Sequence, residues 1–202
     1  MLPLTKQLTC SDLNLYFTDD FTTMTETPKT PTDQCIDMEE TNIAHIAGVI
    51  DAVASITIHI SREDSYAMGY RYKPMVRLYR PEKDSPLMGK LDAYCEDECV
   101  NYSLSKEKRE KSDVFIWHIN DPRDIRRFLK PLMPHLVSKY ESALLMFEVL
   151  ERMEEGEHEN YSGFYNLVGL ADELRSYARY GSKPKYTQEY FREEWSEYLV
   201  DT

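Results

Sequence analysis

A chain of 202 residues that is 42% hydrophobic and 12% aromatic has enough apolar side chain for one globular domain with a core, plus tails. It holds no apolar run approaching roughly 18 residues and opens on no basic-apolar-small leader, so neither a membrane span nor secretion is expected. The formal net charge of −12 argues against a nucleic-acid partner for the chain taken as a whole.

The distribution of that charge says otherwise. Residues 1–42 hold eight acids and two lysines, and residues 147–202 hold thirteen acids and six bases. Residues 55–80 hold five bases (Arg62, Arg71, Lys73, Arg77, Arg80) against two acids, Glu63 and Asp64. A basic middle lies between acidic ends, which is the footprint to look for in a nucleic-acid binder.

Residues 1–38, rich in Thr, Asp and Pro, bury too little apolar surface to offset their chain entropy and are expected to be disordered. From Glu40 to Ala54 the residues suit a helix capped by Thr41 or Asn42. Ala44, Gly48 and Ala52 recur at every fourth position, while Ile46, Val49, Ile50 and Val53 cover the neighbouring faces. Such a helix is either approached by a second backbone along its small residues or sealed inside its own domain.

Ser55 to Ser61 alternates strictly, with Ile56, Ile58 and Ile60 opposing Ser55, Thr57, His59 and Ser61. After a polar turn, Tyr70 to Arg80 alternates again, with Arg71, Lys73, Arg77 and Tyr79 opposing Tyr70, Tyr72, Val76 and Leu78. Pro74 marks an edge or a bend. The pair reads as a hairpin with one apolar and one basic, polar face. Ser85 to Asp97 reads as a helix, and Cys99–Leu104 with Val114–Ile119 as a second hairpin around a charged loop. Asp121 to Met133 is helical, with Asp121 as cap and Pro122 at the first position, and Val137 to Glu155 forms a long helix after the break at Pro134. Residues 156–202 add one or two acidic, Tyr-rich helices.

The segment Ile46-Ala47-Gly48-Val49-Ile50-Asp51-Ala52-Val53-Ala54-Ser55 resembles the LAGLIDADG signature of homing endonucleases, and Ser55-Ile56-Thr57-Ile58 resembles the serine and alternating strand that follow it. Over residues 39–155 the order of elements is similar too, and Pro134 to Lys139 resembles a proline-to-lysine stretch late in that domain. The resemblance implies an α+β fold: an αββαββα domain with a four-stranded antiparallel saddle sheet, here followed by the acidic C-terminal helices. It implies a double-stranded DNA partner and, with one motif per chain, a homodimer whose helices touch through Ala44, Ala47, Gly48, Asp51 and Ala52. Leu167 to Asp172 looks like a second motif, but only 30 residues follow it, too few for another four-stranded sheet.

Carried onto this chain, the DNA-facing residues are Thr57, His59, Ser61, Arg71, Lys73, Arg77, Tyr79 and Arg80, with Lys106, Lys108, Arg109 and Lys111 as further phosphate contacts. The chemistry agrees: Arg reads guanine bidentately, hydroxyls and imidazoles pair either way, and Lys neutralises phosphate. A solvated strand face is the alternative for the same alternation.

In the family, the acid at the eighth letter of the motif holds a divalent cation; here that letter is Val53, which offers no oxygen. Asp51, two residues earlier, points about 200° around the helix from it. Asp51 and Lys139 are the remaining catalytic candidates, relevant only if the protein cuts, with Asp51 after a local shift or Glu82 as the acid that would rebuild a metal site, and Mg²⁺ is implied only in that case. No metal site is expected otherwise. Cys95 and Cys99 lack histidine partners and read as structural, and four cysteines (with Cys10 and Cys35) without a CxxC pair suit a reduced, cytoplasmic protein. Three functions therefore stand: a non-cutting DNA-binding protein, an active metal-dependent homing endonuclease, and an acidic protein-interaction module that presents its Tyr-rich tail.

Overall fold

The structure is a computed structural model, and it describes residues 38–66, 68–80, 86–108, 114–177 and 184–199. The segment expected to be disordered therefore lies outside the described residues, as do Arg109 and Lys111. Helix α1 (Met38–Val53) runs directly into strand β1 (Ala54–Arg62), which turns back into β2 (Tyr70–Arg80). Then come α2 (Pro86–Asp97), β3 (Ser103–Glu107), β4 (Val114–Ile119), α3 (Pro122–Leu129), α4 (Tyr140–Glu154), α5 (Tyr161–Ser176) and α6 (Gln188–Glu194). The four strands form one antiparallel sheet in the order β1-β2-β4-β3, the α+β architecture expected from the sequence.

The strict alternation of the first hairpin becomes two faces of a sheet. Ala54, Ile56, Ile58, Ile60, Tyr70, Tyr72, Val76 and Leu78 are buried on one side, under α4 and α5 on β1 and α3 on β2. The turn between the strands closes with Glu63 N donating to Gly69 O at 2.8 Å, and Gly69 takes φ 71°, which suits a residue without Cβ. Pro74 sits opposite Ile58, short of the β4 pairing that begins at Val76, so β2 is an edge there on one side.

Several boundaries differ from the sequence expectation, and β3 runs on to Glu107 past the expected Leu104. Helix α1 starts at Met38, upstream of Thr41 and Asn42. The second hairpin starts at Ser103 rather than Cys99, because Cys99 (φ 52°) and Val100 close the end of α2, with Val100 N donating to Cys95 O at 2.8 Å. Helix α3 ends at Leu129, and Met133–His135 is a single 3-10 turn. Helix α4 starts at Tyr140, because the amides of Val137 and Lys139 are taken by another part of the chain.

The C-terminal helices share the one core. Phe164, Leu167, Val168 and Ala171 of α5 and Phe191 of α6 are buried in it, and Tyr72 Oη donates to Leu167 O at 2.9 Å. Tyr70 packs edge-on to Phe191 and Trp195, and its hydroxyl meets that of Tyr190 at 2.8 Å. The segment Leu167–Asp172 is thus part of a core helix. Much of the tyrosine-rich tail that suggested a protein-contact surface is spent internally, although Tyr198 stays 60% exposed. At the start of α5 a Cβ on Gly163 would lie 2.3 Å from Glu157 O, against backbone that has no room to give. Gly163→Ala is expected to cost about 1–3 kcal/mol through this overpacking, read as a lowered urea midpoint at unchanged m-value.

Candidate nucleic-acid interface

The face of the sheet away from the helices carries Ser55, Thr57, His59 and Ser61 on β1, each opposite a β2 residue on the same face: Arg77, Met75, Lys73 and Arg71. Pairing with β4 and β3 extends these rows. Arg77 stands opposite His118, which stands opposite Ser103, so Ser55, Arg77, His118 and Ser103 form one line across all four strands. Beside it run Tyr79, Ile116 and Ser105. Thr57, His59, Ser61, Arg71, Lys73, Arg77 and Tyr79 thus share the exposed face of the hairpin on which their alternation put them. Arg80 ends β2 opposite Phe115, and its side chain lies outside the described residues.

Sequence reasoning missed His118, Ser103 and Ser105. Val114 to Ile119 has apolar residues at both parities, so a period of two gives no face, and only the register assigns one. That register also shifts a phosphate-contact expectation. Lys106 stands opposite Phe115, in the parity of the buried Trp117, and its Nζ lies 5.8 Å over the Phe115 ring.

The charges on this face press on one another. Burial, then Arg77, Lys73, Arg175 and Arg71, hold the His59 imidazole below its usual pKa. His118 is likewise lowered, first by burial and then by Lys73 and Arg77, against an upward pull from the Ile116 backbone. Lys73 is lowered by burial and by Arg71. Arg77 stacks over the Tyr79 ring at 5.8 Å and keeps its Nε buried without a hydrogen-bond partner among the described residues. Arg71 lies 3.6 Å from Glu63, a half-exposed pair that contributes little to stability and leaves the guanidinium available.

At the edge of this face ends α1. Asp51 is fastened there: its Oδ2 accepts from Val137 N at 2.7 Å, and its Oδ1 from Lys139 N at 2.8 Å and Ser138 Oγ at 3.2 Å. The Ser138 hydroxyl is also 3.2 Å from Asp51 O. The carboxylate thereby ties the last turn of α1 to the segment leading into α4, and brings Lys139 to a cleft of about 900 Å³ that Val53, Ser55, Tyr79, Ser142 and Tyr177 help to line. Val53 is 40% exposed and Val137 is 85% exposed.

These residues do not fit a divalent cation. Val53 has no donor atom, both oxygens of Asp51 are taken by amides and a hydroxyl, and no group of three His, Cys, Asp or Glu able to hold a metal occurs among the described residues. Cys95 is buried, with its thiol pushed up to about 12 by burial, as suits a structural cysteine, whereas Cys99 is exposed, against the expectation that both are buried and structural.

Along α1, Ala44, Gly48 and Ala52 are exposed, and a Cβ on Gly48 would meet nothing within 4 Å. Ala47 is the exception among the small residues expected to touch a second helix. It is fully buried in its own subunit's core beside Ile46 and Ile50, one residue before Gly48 and so about 100° around the helix from it.

A family model described as LAGLIDADG endonuclease matches residues 46–146, half of the chain. The chain belongs to this family. No curated protein sequence matches it. Among solved structures, the LAGLIDADG fold recurs in the homing endonuclease I-CvuI, solved in complex with the I-CreI target, with a TM-score of 0.65 and 17% identity over 80% of this chain and 97% of that one. The archaeal intron-encoded homing endonuclease I-Vdi141I, solved with DNA, gives a TM-score of 0.66 and 19% identity over 80% and 99%. The LAGLIDADG homing endonuclease I-SmaMI, solved bound to cleaved DNA, gives 0.56 and 21% identity, and here 80% of this chain spans 49% of that chain. At these identities the likeness is one of fold. The acidic chain is thus a LAGLIDADG domain whose motif helix ends on Val53 and whose sheet presents cations outward.

Proposed function

We propose that this protein binds a specific site in double-stranded DNA as a homodimer and does not cut it. The observation that carries the reading is the sheet itself. A face with Arg71, Lys73 and Arg77 among hydroxyls and imidazoles backs onto one whose centre, from Ile56, Ile58 and Ile60 to Val76 and Leu78, is buried and apolar, in a family whose solved members include proteins complexed with DNA. Such side chains supply both phosphate neutralisation and base-edge hydrogen bonds.

Dimerisation through α1 is supported by the exposed Ala44, Gly48 and Ala52, and by length: the chain spans nearly all of I-CvuI but half of I-SmaMI. One sheet is half of what a two-fold site requires. Loss of cleavage is supported by Val53 and by the engagement of Asp51. Holding cations against the attacking and leaving oxygens needs free carboxylates. Lys139 remains as a cation for a phosphate; among the described residues lining its cleft Asp51 is the one carboxylate, and it is engaged, while Glu82 lies outside the described residues.

The test is selection of duplexes from a random pool by the purified protein, with and without Mg²⁺ or Mn²⁺, at two salt concentrations. Expected is one pseudo-palindromic site, intact DNA under all conditions, and affinity falling about 10³-fold between roughly 50 and 200 mM salt. A metal-dependent cut at the selected site establishes an active endonuclease instead. Failure to enrich any duplex leaves the acidic interaction module.

A further inference from the structure

Two imidazoles stand on the cationic face, each directly across a strand boundary from a fixed cation. His59 is opposite Lys73, and His118 is opposite Arg77. Directly opposed side chains in an antiparallel pair have Cβ atoms about 4.5–5.5 Å apart, where like charges repel. Either ring, once protonated, adds a like charge to a group already crowded by Arg71, Lys73 and Arg77. Among the described residues of the four strands no acid stands beside either ring, and Arg175 of α5, which also bears on His59, is paired with Asp172. Strands β1, β2 and β4 contain no acid, and the acid of β3, Glu107, stands at the far end opposite Val114. Glu63, beyond the strands, is paired with Arg71.

We infer that His59 and His118 are proton-linked DNA contacts: neutral in the free protein, they take up protons when a nucleic-acid backbone settles on this face. The inference rests on the proposed DNA-binding function and adds His118 to the contact surface. Polyanion phosphates reverse the sign of the local potential, so the charged imidazole, disfavoured before, becomes favoured and gains a second donor for phosphate or base. The lowering of both groups by burial and by Arg77 and Lys73 in the free protein agrees with the first half of this cycle. The sign follows from linkage. The bound state holds more protons, so affinity rises as pH falls through the bound-state value and levels off below the free-state value.

The experiment uses the full chain and a duplex of mixed sequence, about 30 base pairs long. Anisotropy at fixed ionic strength is expected to show Kd falling at least about tenfold from pH 8 to pH 6, where each linked proton contributes up to about tenfold per pH unit. In His59→Asn/His118→Asn the Kd is expected to stay within about twofold across that range, whatever its value at pH 8. His45, His135 and His158 remain in that variant and serve as the control. Calorimetry of the unmodified protein at pH 6.5, in buffers of different ionisation enthalpy, reads proton uptake directly. Duplex binding without uptake, or a pH dependence that survives both substitutions, overturns the inference and leaves the DNA-binding reading standing. Absence of binding at every pH removes both.

Discussion

Reversing two charges, Arg71→Glu with Arg77→Glu, is expected to abolish DNA binding while leaving the fold intact. Both side chains lie on the half-exposed outer face of β2, away from the core under the sheet. Arg77 sits centrally in the line Ser55–Arg77–His118–Ser103, and Arg71 closes the row with Ser61 near the hairpin turn. A bidentate contact to a base discriminates by about 1–3 kcal/mol, and each neutralised phosphate adds counterion release. Two lost cations per subunit, doubled in a dimer and replaced by repelling carboxylates, should cost at least about 10³-fold in affinity. The comparison is Arg123→Glu with Lys130→Glu, an equal change of net charge at two exposed positions on and just after α3. If both double variants lose affinity equally, net charge and not this face governs binding, and the proposed interface is wrong.

The face tested there was legible because strands β1 and β2 alternate almost throughout, Met75 being the apolar residue on the outer face, and alternation alone separates core from surface when one side of a sheet is buried. The same logic failed on β4. Its Phe115, Ile116 and Trp117 are apolar in succession, and His118 was placed only by pairing with Arg77 and Ser103. On α1 periodicity left two readings open, and the structure buries Ile46 and Ile50 while leaving Ala44, Gly48 and Ala52 exposed. Periodicity did not distinguish Ala47, whose side chain is small enough for either face and whose burial depends on what packs against it. The junction before α4 was beyond local reasoning. Val137 to Lys139 read as helix, and what excludes them is a carboxylate 86 residues earlier in the chain for Val137 and 88 for Lys139. An interaction so remote in sequence leaves no periodic trace.

That carboxylate carries the second large expectation. Asp51→Ala should destabilise the free protein by about 2–3 kcal/mol, since hydrogen bonds to a charged group contribute about 1.5–3 kcal/mol each and the freed amides are partly re-solvated. Asp51→Asn should fall between. An amide keeps one acceptor, so either Val137 N or the Lys139 N and Ser138 Oγ pair retains its partner while the other meets an NH₂ group. The measurement is urea unfolding in the presence of a chelator, which separates this role from metal ligation. A metal ligand would leave the chelated protein's stability unchanged on substitution and would remove a stabilisation by Mg²⁺ seen in the unmodified chain. A fastener gives the reverse: a lowered midpoint with chelator present and no metal dependence in either protein. The second readout follows from Lys139, whose amide Asp51 holds beside the cleft. Once the tie is cut, its ammonium loses its fixed place, and the salt dependence of DNA binding should become shallower by about one phosphate per subunit. An unchanged midpoint in Asp51→Ala would mean that the α1–α4 junction is held by its packing alone and would return Asp51 to candidacy for chemistry.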